Sequence, residues 1–307
     1  MSKEDGGHGG SAAAAGWVAQ WNREDWLVAT SRGLWLGRPG HEWRASGPSF
    51  QHSLNVLTRC GEGVIGGADG GLWLIEKGKS RWRQLHDELV TVVYDVAAPG
   101  PEVDSILVAT GYGVHRPRGT EQGALRWTNC SEALTSPNQR FSTALLAMDQ
   151  DTWLVGTEAG LCVMEGESRH WSSTALIGSA VRALLATEDG FWAGNDAGEI
   201  WHSDTGREWQ IHSRIAPGES VLALAQAPDH LLAGTSLGVA VNDSDGWRHI
   251  GPPLTIVAVA VDPSQPSVWL AGASPGGLWW SSDSENWQQV SGAPGAVRHL
   301  LAPGANQ

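Results

Sequence analysis

Residues 233–247 read AGTSLGVAVNDSDGW. A small-residue pair leads into a tight turn at Thr235–Gly238, apolar positions follow, and an acidic turn brings in Trp247. Glycine at the first turn accepts positive φ, as a tight hairpin requires. The polar run Asn242–Gly246 has the chemistry of a second turn. The stretch predicts a β-hairpin followed by a turn into one more strand.

Counting this copy, the phrase is written seven times, the others being LVATSRGLWL with Trp43, VIGGADGGLWL with Trp82, LVATGYGVHR with Trp127, LVGTEAGLCV with Trp171, WAGNDAGEIW with Trp209 and LAGASPGGLWW with Trp287. The spacing, about 38–45 residues, lies in the range of propeller blades. In the fifth unit the pieces AVRALLAT, FWAGN, EIWHS and WQIHS are each apolar, short and bounded by turn residues. Helical periodicity of any length is absent. Four strands per unit favour radial closure over a linear solenoid. The expected fold is all-β, a seven-bladed β-propeller of four-stranded antiparallel blades, over residues 16–303, with residues 1–15 as a tail.

Composition fits one copied unit: the 307 residues include 40 glycines and 18 tryptophans but only 2 tyrosines and 3 phenylalanines. The tryptophan opening each fourth strand, together with Trp35, Trp73, Trp201 and Trp279 on third strands, is expected to fill the wedges between blades. A net charge of −13 argues against binding nucleic acid or anionic lipid through phosphate neutralisation. The apolar runs fall short of the ~18–20 residues a membrane helix needs, and the first sixteen residues do not read as a signal peptide. A cytoplasmic location is expected. The 3 cysteines, Cys60, Cys130 and Cys162, form no CxxC pair and the 11 histidines are dispersed, so neither a metal site nor a cofactor is expected.

Asp204-Thr205-Gly206-Arg207-Glu208-Trp209 resembles the D-x-G-x-x-W half of the Asp-box of sialidase-type repeat propellers, and residues 281–287 and 242–247 resemble shortened copies. The repeat is also similar to those of photosystem II assembly-factor propellers and two-component regulator propellers. The resemblance lies in structural motifs, so it implies the fold and not sialidase chemistry, whose tyrosine nucleophile and arginine triad are not assignable here.

In such a ring the fourth-to-first connections and second-to-third turns share one face, here called the top. Most acids, among them Asp149, Asp151, Asp204, Asp243, Asp245, Asp283 and Glu285, fall in the bottom turns, where turn chemistry and solubility account for them better than a docking surface for a basic partner. The top has the longest connection, TNCSEALTSPNQRFS at 128–142, which includes Arg140. Blade three departs from the repeat with Tyr94, Asp95, Tyr112, His115 and Arg116. Aligning first strands puts Asn55, Arg182 and Arg298 in one register near the channel mouth, either as a locally basic mouth or as arginines bonded between blades.

Two readings follow. The first is a non-catalytic propeller holding a protein or peptide on its top face. The alternative is an enzyme (a lyase, cyclase or hydrolase) with a small-molecule pocket at the mouth, Tyr112, His115 or Asp95 as acid or base, and Asn55, Tyr94, Arg116, Arg140, Arg182 and Arg298 around the ligand. A deep pocket with converging polar groups favours the enzyme, and a shallow face with exposed aromatics favours the scaffold. For ring closure, GWVAQW (16–21) is expected to hairpin into Trp26–Thr30 as the first strand of blade one, with AVRHLLA (296–302) latched across the seam between blades seven and one.

Overall fold

A computed structural model describes residues 19–47, 52–149, 151–165 and 170–304. The expected tail and residues 16–18 of the expected hairpin lie outside them. The described chain forms seven four-stranded antiparallel sheets, and a single helical turn, Pro137–Arg140, interrupts the all-β chain. Blade five consists of Val181–Thr187, Gly190–Asn195, Glu199–Ser203 and Gln210–Arg214, ordered from the channel outward.

The second-to-third turns show why the repeat carries Thr-x-x-Gly. The Thr157 hydroxyl donates to the Gly160 carbonyl (2.9 Å) and accepts from the Ala159 amide (3.1 Å), while Gly160 takes φ 135°. Thr30, Thr110 and Thr235 bond to Gly33, Gly113 and Gly238 in the same way. A side chain thus supplies the partners that a two-residue loop leaves unpaired.

The residue before that threonine decides how blades meet. Gly194 is the penultimate residue of the second strand of blade five, and a Cβ there would overlap the side chain of Val221, the first inner-strand residue of blade six. A Cβ at Gly67 or Gly272 would overlap the side chain of Val93 or Val297 in the same way, and at Gly156 or Gly234 it would run into the carbonyl of Val181 or Ile256. Seven apolar clusters fill the seams between blades. Each takes in one fourth-strand tryptophan, and Trp35, Trp73, Trp201 and Trp279 pack against them as well. The Trp127 indole donates across its seam to the Leu85 carbonyl at 2.7 Å, and Trp171 to Cys130 at 2.8 Å.

Ring closure differs from the expectation. The inner strand of blade one is Val297–Leu301, paired with Trp26–Thr30, so the C-terminal segment is part of the blade and not a latch beside it. Residues 19–21 form no strand. Ala19 exchanges backbone bonds with blade two, to Lys79 (2.8 Å) and from Gly78 (2.7 Å), and Trp21 is buried in the seam between blades one and two. The expectation rested on loop length, but closure entropy grows only by about 0.6 kcal/mol per doubling. Burying one aliphatic side chain gains about 1.5–3 kcal/mol, and Val297, Leu300 and Leu301 are all buried.

Two outcomes are expected. Amides of Val297–Leu301 should exchange as slowly as those of Leu54–Cys60 in hydrogen exchange, and a chain ended after Pro294 should lose cooperative unfolding. Gly194→Ala should lower stability by about 1–3 kcal/mol in denaturant melts, since the added methyl has no room against Val221.

Candidate functional site on the top face

Every inner strand begins with a bulge. In blade two Leu54 and Val56 pair with the consecutive residues Ala68 and Gly67, so Asn55 has no partner in the ladder. The same slip isolates Tyr94, Thr143, Arg182, Leu222, Val257 and Arg298. A bulged residue has its side chain re-aimed and no pairing duty. These seven form a ring at the top mouth. Sequence alignment found Asn55, Arg182 and Arg298 in it; Tyr94 belongs to the same register, and Thr143, Leu222 and Val257 complete it.

A second ring comes from the turn residue after each threonine or its equivalent: Ser31, Asp69, Gly111, Glu158, Asp196, Ser236 and Ser274. The two rings interlock. Arg182 bonds Glu158 at 2.7 Å and Asp196 at 2.9 Å. Burial lowers its pKa, but the two carboxylates outweigh burial and hold it above the ordinary value. Arg298 bonds Asn55 and lies 3.4 Å from Asp69. The Asn55 amide donates to Asp69 and to the Val93 carbonyl of blade three, both at 2.9 Å. Thr143 reaches the matching carbonyl of blade five, Val181, at 2.5 Å. The mouth is therefore not basic: both arginines are neutralised by carboxylates, and the bulge residues Asn55 and Thr143 stitch neighbouring inner strands that share no ladder.

In blade three the second ring has a glycine, and the space is aromatic. Tyr94 and Phe141 lie over Gly111 with ring centres 5.1 Å apart at 37°. Tyr112, the next turn residue, is 72% exposed. The 128–142 connection folds beside this turn. Asn129 donates to the Tyr112 carbonyl (3.2 Å), and the Ser131 hydroxyl accepts from the Val114 amide (2.7 Å). The helical turn Pro137–Arg140 is started by a Ser136–Gln139 capping box. Exposed Arg140 closes the loop on itself through Leu134 (2.9 Å). Leu89, in the connection entering blade three, and Leu237, on the blade-six turn, are also exposed large apolar residues of this face.

The acid and base candidates do not converge. His115 is buried; its Nε2 meets the Asn129 amide at 3.2 Å and its Nδ1 meets Thr110 at 3.5 Å. Burial lowers its pKa, against the opposing pull of the Gly113 backbone. The Asp95 carboxylate accepts from the amides of Leu145 in blade four (2.7 Å) and Val96 (2.8 Å). Desolvation raises its pKa to about 6, against the pull of those two amides. Arg116 is half-buried on the third strand, with its Nε buried and unpartnered. Two depressions lie at the bottom, one of about 210 Å³ between Asn22, Arg38 and Arg44, the other of about 400 Å³ between Glu76 and Arg83. Among the described residues no group of histidine, cysteine and acid side chains could hold a metal. No described helix is long and apolar enough to cross a membrane. The bottom acids serve their turns: Asp149 accepts from the amides of Asp151 and Thr152, and Asp283 from the Asn286 side chain and the backbone amides of Asn286 and Glu285, which together hold Asp283 far below the usual carboxylate range.

No family model and no curated protein matches the chain. Solved structures do. The computationally designed Ika8 protein matches at 16% identity and TM-score 0.62, over 93% of this chain and 89% of that one. YCF48 bound to D1 peptide matches at 15% and 0.58, over 91% and 88%. The extracellular domain of the BT4673 one component system from B. thetaiotaomicron matches at 15% and 0.63, over 92% of this chain and 47% of that one, so the present chain spans about half its length. At such identities the likeness shows the β-propeller fold.

Asp95 has a pH signature. Between about pH 4 and 6 the native state keeps a proton that the unfolded chain has released, so stability is lost as pH rises through that window. Asp95→Asn should be less sensitive there. Its melting temperature relative to wild type should rise from pH 4 to 6 and then level, as read by calorimetry at constant ionic strength.

Proposed function

We propose that the protein is a non-catalytic scaffold that holds a protein or peptide on its top face, over the platform formed by Tyr94, Phe141 and Tyr112. The exposed rings of Tyr94, at the bulged register, and Tyr112, in the adjoining turn, carry this reading. Among the described residues no tryptophan is an exposed large apolar side chain, whereas here two tyrosines stand at the surface where the fold makes no demand on them. Tyrosine supplies large contact area at low entropic cost, which is why it dominates binding hot spots. Asp95 and His115, bound up in inter-blade and intra-blade hydrogen bonds, act in this reading as supports beneath the platform. The structurally similar YCF48 was solved with a bound peptide, which agrees with use of the fold for peptide recognition. A location in the cytoplasm remains part of the proposal.

Peptides selected on the wild-type protein by display should bind Tyr94→Ala and Tyr112→Ala about 10–100-fold more weakly, the range of hot-spot truncations. The melting temperatures should stay close to wild type. A bottom-face variant, Asp243→Asn with Glu285→Gln, should bind as wild type does. Equal losses from the bottom variant would move the binding surface to the other face.

A further inference from the structure

Counted from the first inner-strand residue, the sixth position lies toward the bottom of the ring that encloses the channel; in blades one and three it falls one residue past the strand's end. It is Ala98, Ala147, Ala186, Gln226, Val261 or Ala302 in six blades, and Arg59 in blade two. One guanidinium stands where every equivalent is small or neutral. Arg59 is half-buried, and burial lowers its pKa. Its Nη2 donates to the Ala302 carbonyl of blade one at 2.9 Å. Its Nε is buried and meets no acceptor. Among the described residues no carboxylate forms an ion pair with it.

The other charged inner-strand residues near the channel are satisfied. Arg182 has two carboxylates, Arg298 has Asp69 and Asn55, and Asp95 has two amides. Arg59 has a carbonyl partner but no carboxylate, and its Nε is a buried donor without an acceptor, which is costly. The adjacent inner strand of blade one adds a second such group. His299 Nδ1 is buried with no partner, and desolvation pushes the imidazole pKa down to about 4, so the ring is neutral. Two buried nitrogens on neighbouring inner strands thus meet no acceptor, His299 three positions nearer the top than Arg59, and only Arg59 carries a charge.

We propose that the lower channel binds a small aliphatic carboxylate, its oxygens on Arg59 and its hydrocarbon against the alanine positions of the same ring. The guanidinium fork matches the two oxygens of a carboxylate. A single charge suits a site with one cation, a neutral imidazole and acidic turns such as Glu62 and Glu102 around its entrance; a dianion would meet repulsion there. This site is on the opposite side of the ring from the tyrosine platform and does not depend on it.

The test uses butyrate, with inorganic phosphate and butylamine as comparison probes, on the full chain at fixed ionic strength. Titration calorimetry and thermal shift should show saturable butyrate binding and a rise in melting temperature that grows with ligand concentration. Arg59→Met, close to arginine's stem in length but uncharged, should weaken butyrate at least tenfold, and Arg59→Lys, which keeps charge but loses the fork, should weaken it about as much. Tyr94→Ala should bind butyrate as wild type does. If the Met variant does not fold, the Lys variant and saturation-transfer NMR on wild type, with His299 as reporter, decide the matter. Absence of saturable butyrate binding, equal binding by the Arg59 variants, or a preference for phosphate would each overturn the assignment.

Discussion

The ring depends on how closely one blade can approach the next, and that approach is set where a glycine meets a β-branched side chain. Adjacent blades share no ladder of backbone hydrogen bonds; their inner strands face each other through side chains. The penultimate glycine of the second strand lets the first inner-strand residue of the next blade sit against bare backbone, as Val221 does at Gly194. Where the repeat has alanine instead, at Ala29 and Ala109, the residue is fully buried. The outer part of each wedge is wider and takes tryptophan. Small residues near the channel and large ones at the rim are the two ends of one taper, and this accounts for a composition rich in both glycine and tryptophan.

The bulge is the other side of that constraint. The first inner-strand residue must point into the seam and the third must resume pairing, so the second is left without a structural duty. Its side chain emerges at the mouth in all seven blades, and its identity varies from arginine to valine, while the residue before it is aliphatic in six blades and Ser142 in blade four. The seam register is thus held by packing, and the mouth register is free to take on other work. Part of that freedom is spent on stitching, by Asn55 to Val93 and Thr143 to Val181. The rest gives the mouth its unequal sectors: aromatic over blade three, ion-paired at Arg182, and aliphatic at Leu222 and Val257.

The architecture was legible because it is written repeatedly: turn glycines, alternating strands and one tryptophan per unit leave little choice of fold. The strands of blade five agree with the sequence reading to within a residue or two. The mouth register was legible in part, because Asn55, Arg182 and Arg298 align by eye. What could not be read was the company those residues keep. Glu158, Asp196 and Asp69 lie in turns of a different strand pair, so an alignment of first strands shows two arginines and no acids. Asp95 and His115 stood out as deviations from the repeat, yet each is turned inward to backbone or to a neighbouring side chain, which residue type alone does not reveal. Ring closure failed for a different reason. A short local hairpin looked cheaper than a strand from the far end of the chain, but closure entropy is logarithmic in length and burial is not.

Deviations from the repeat are of two kinds, and they differ in what they do for the fold. A polar residue that interrupts the repeat and finds partners inside the fold, like Asp95 bound to Leu145 of blade four, repairs a seam and makes the local geometry more rigid. An aromatic residue that interrupts the repeat and stays exposed, like Tyr112, repairs nothing, and its exposed ring costs the native state solvation free energy with no packing in return. In blade three the two kinds sit together. Asp95 ties the inner strand to blade four, Asn129 and Ser131 tie the long connection to the turn, and Tyr94 and Phe141 close over Gly111 between them. The platform rests on a strand, a turn and a loop whose polar groups are bonded to one another. A surface held in this way loses little conformational entropy when a partner settles on it, and pre-organisation of this kind is what allows a shallow face to bind with useful affinity.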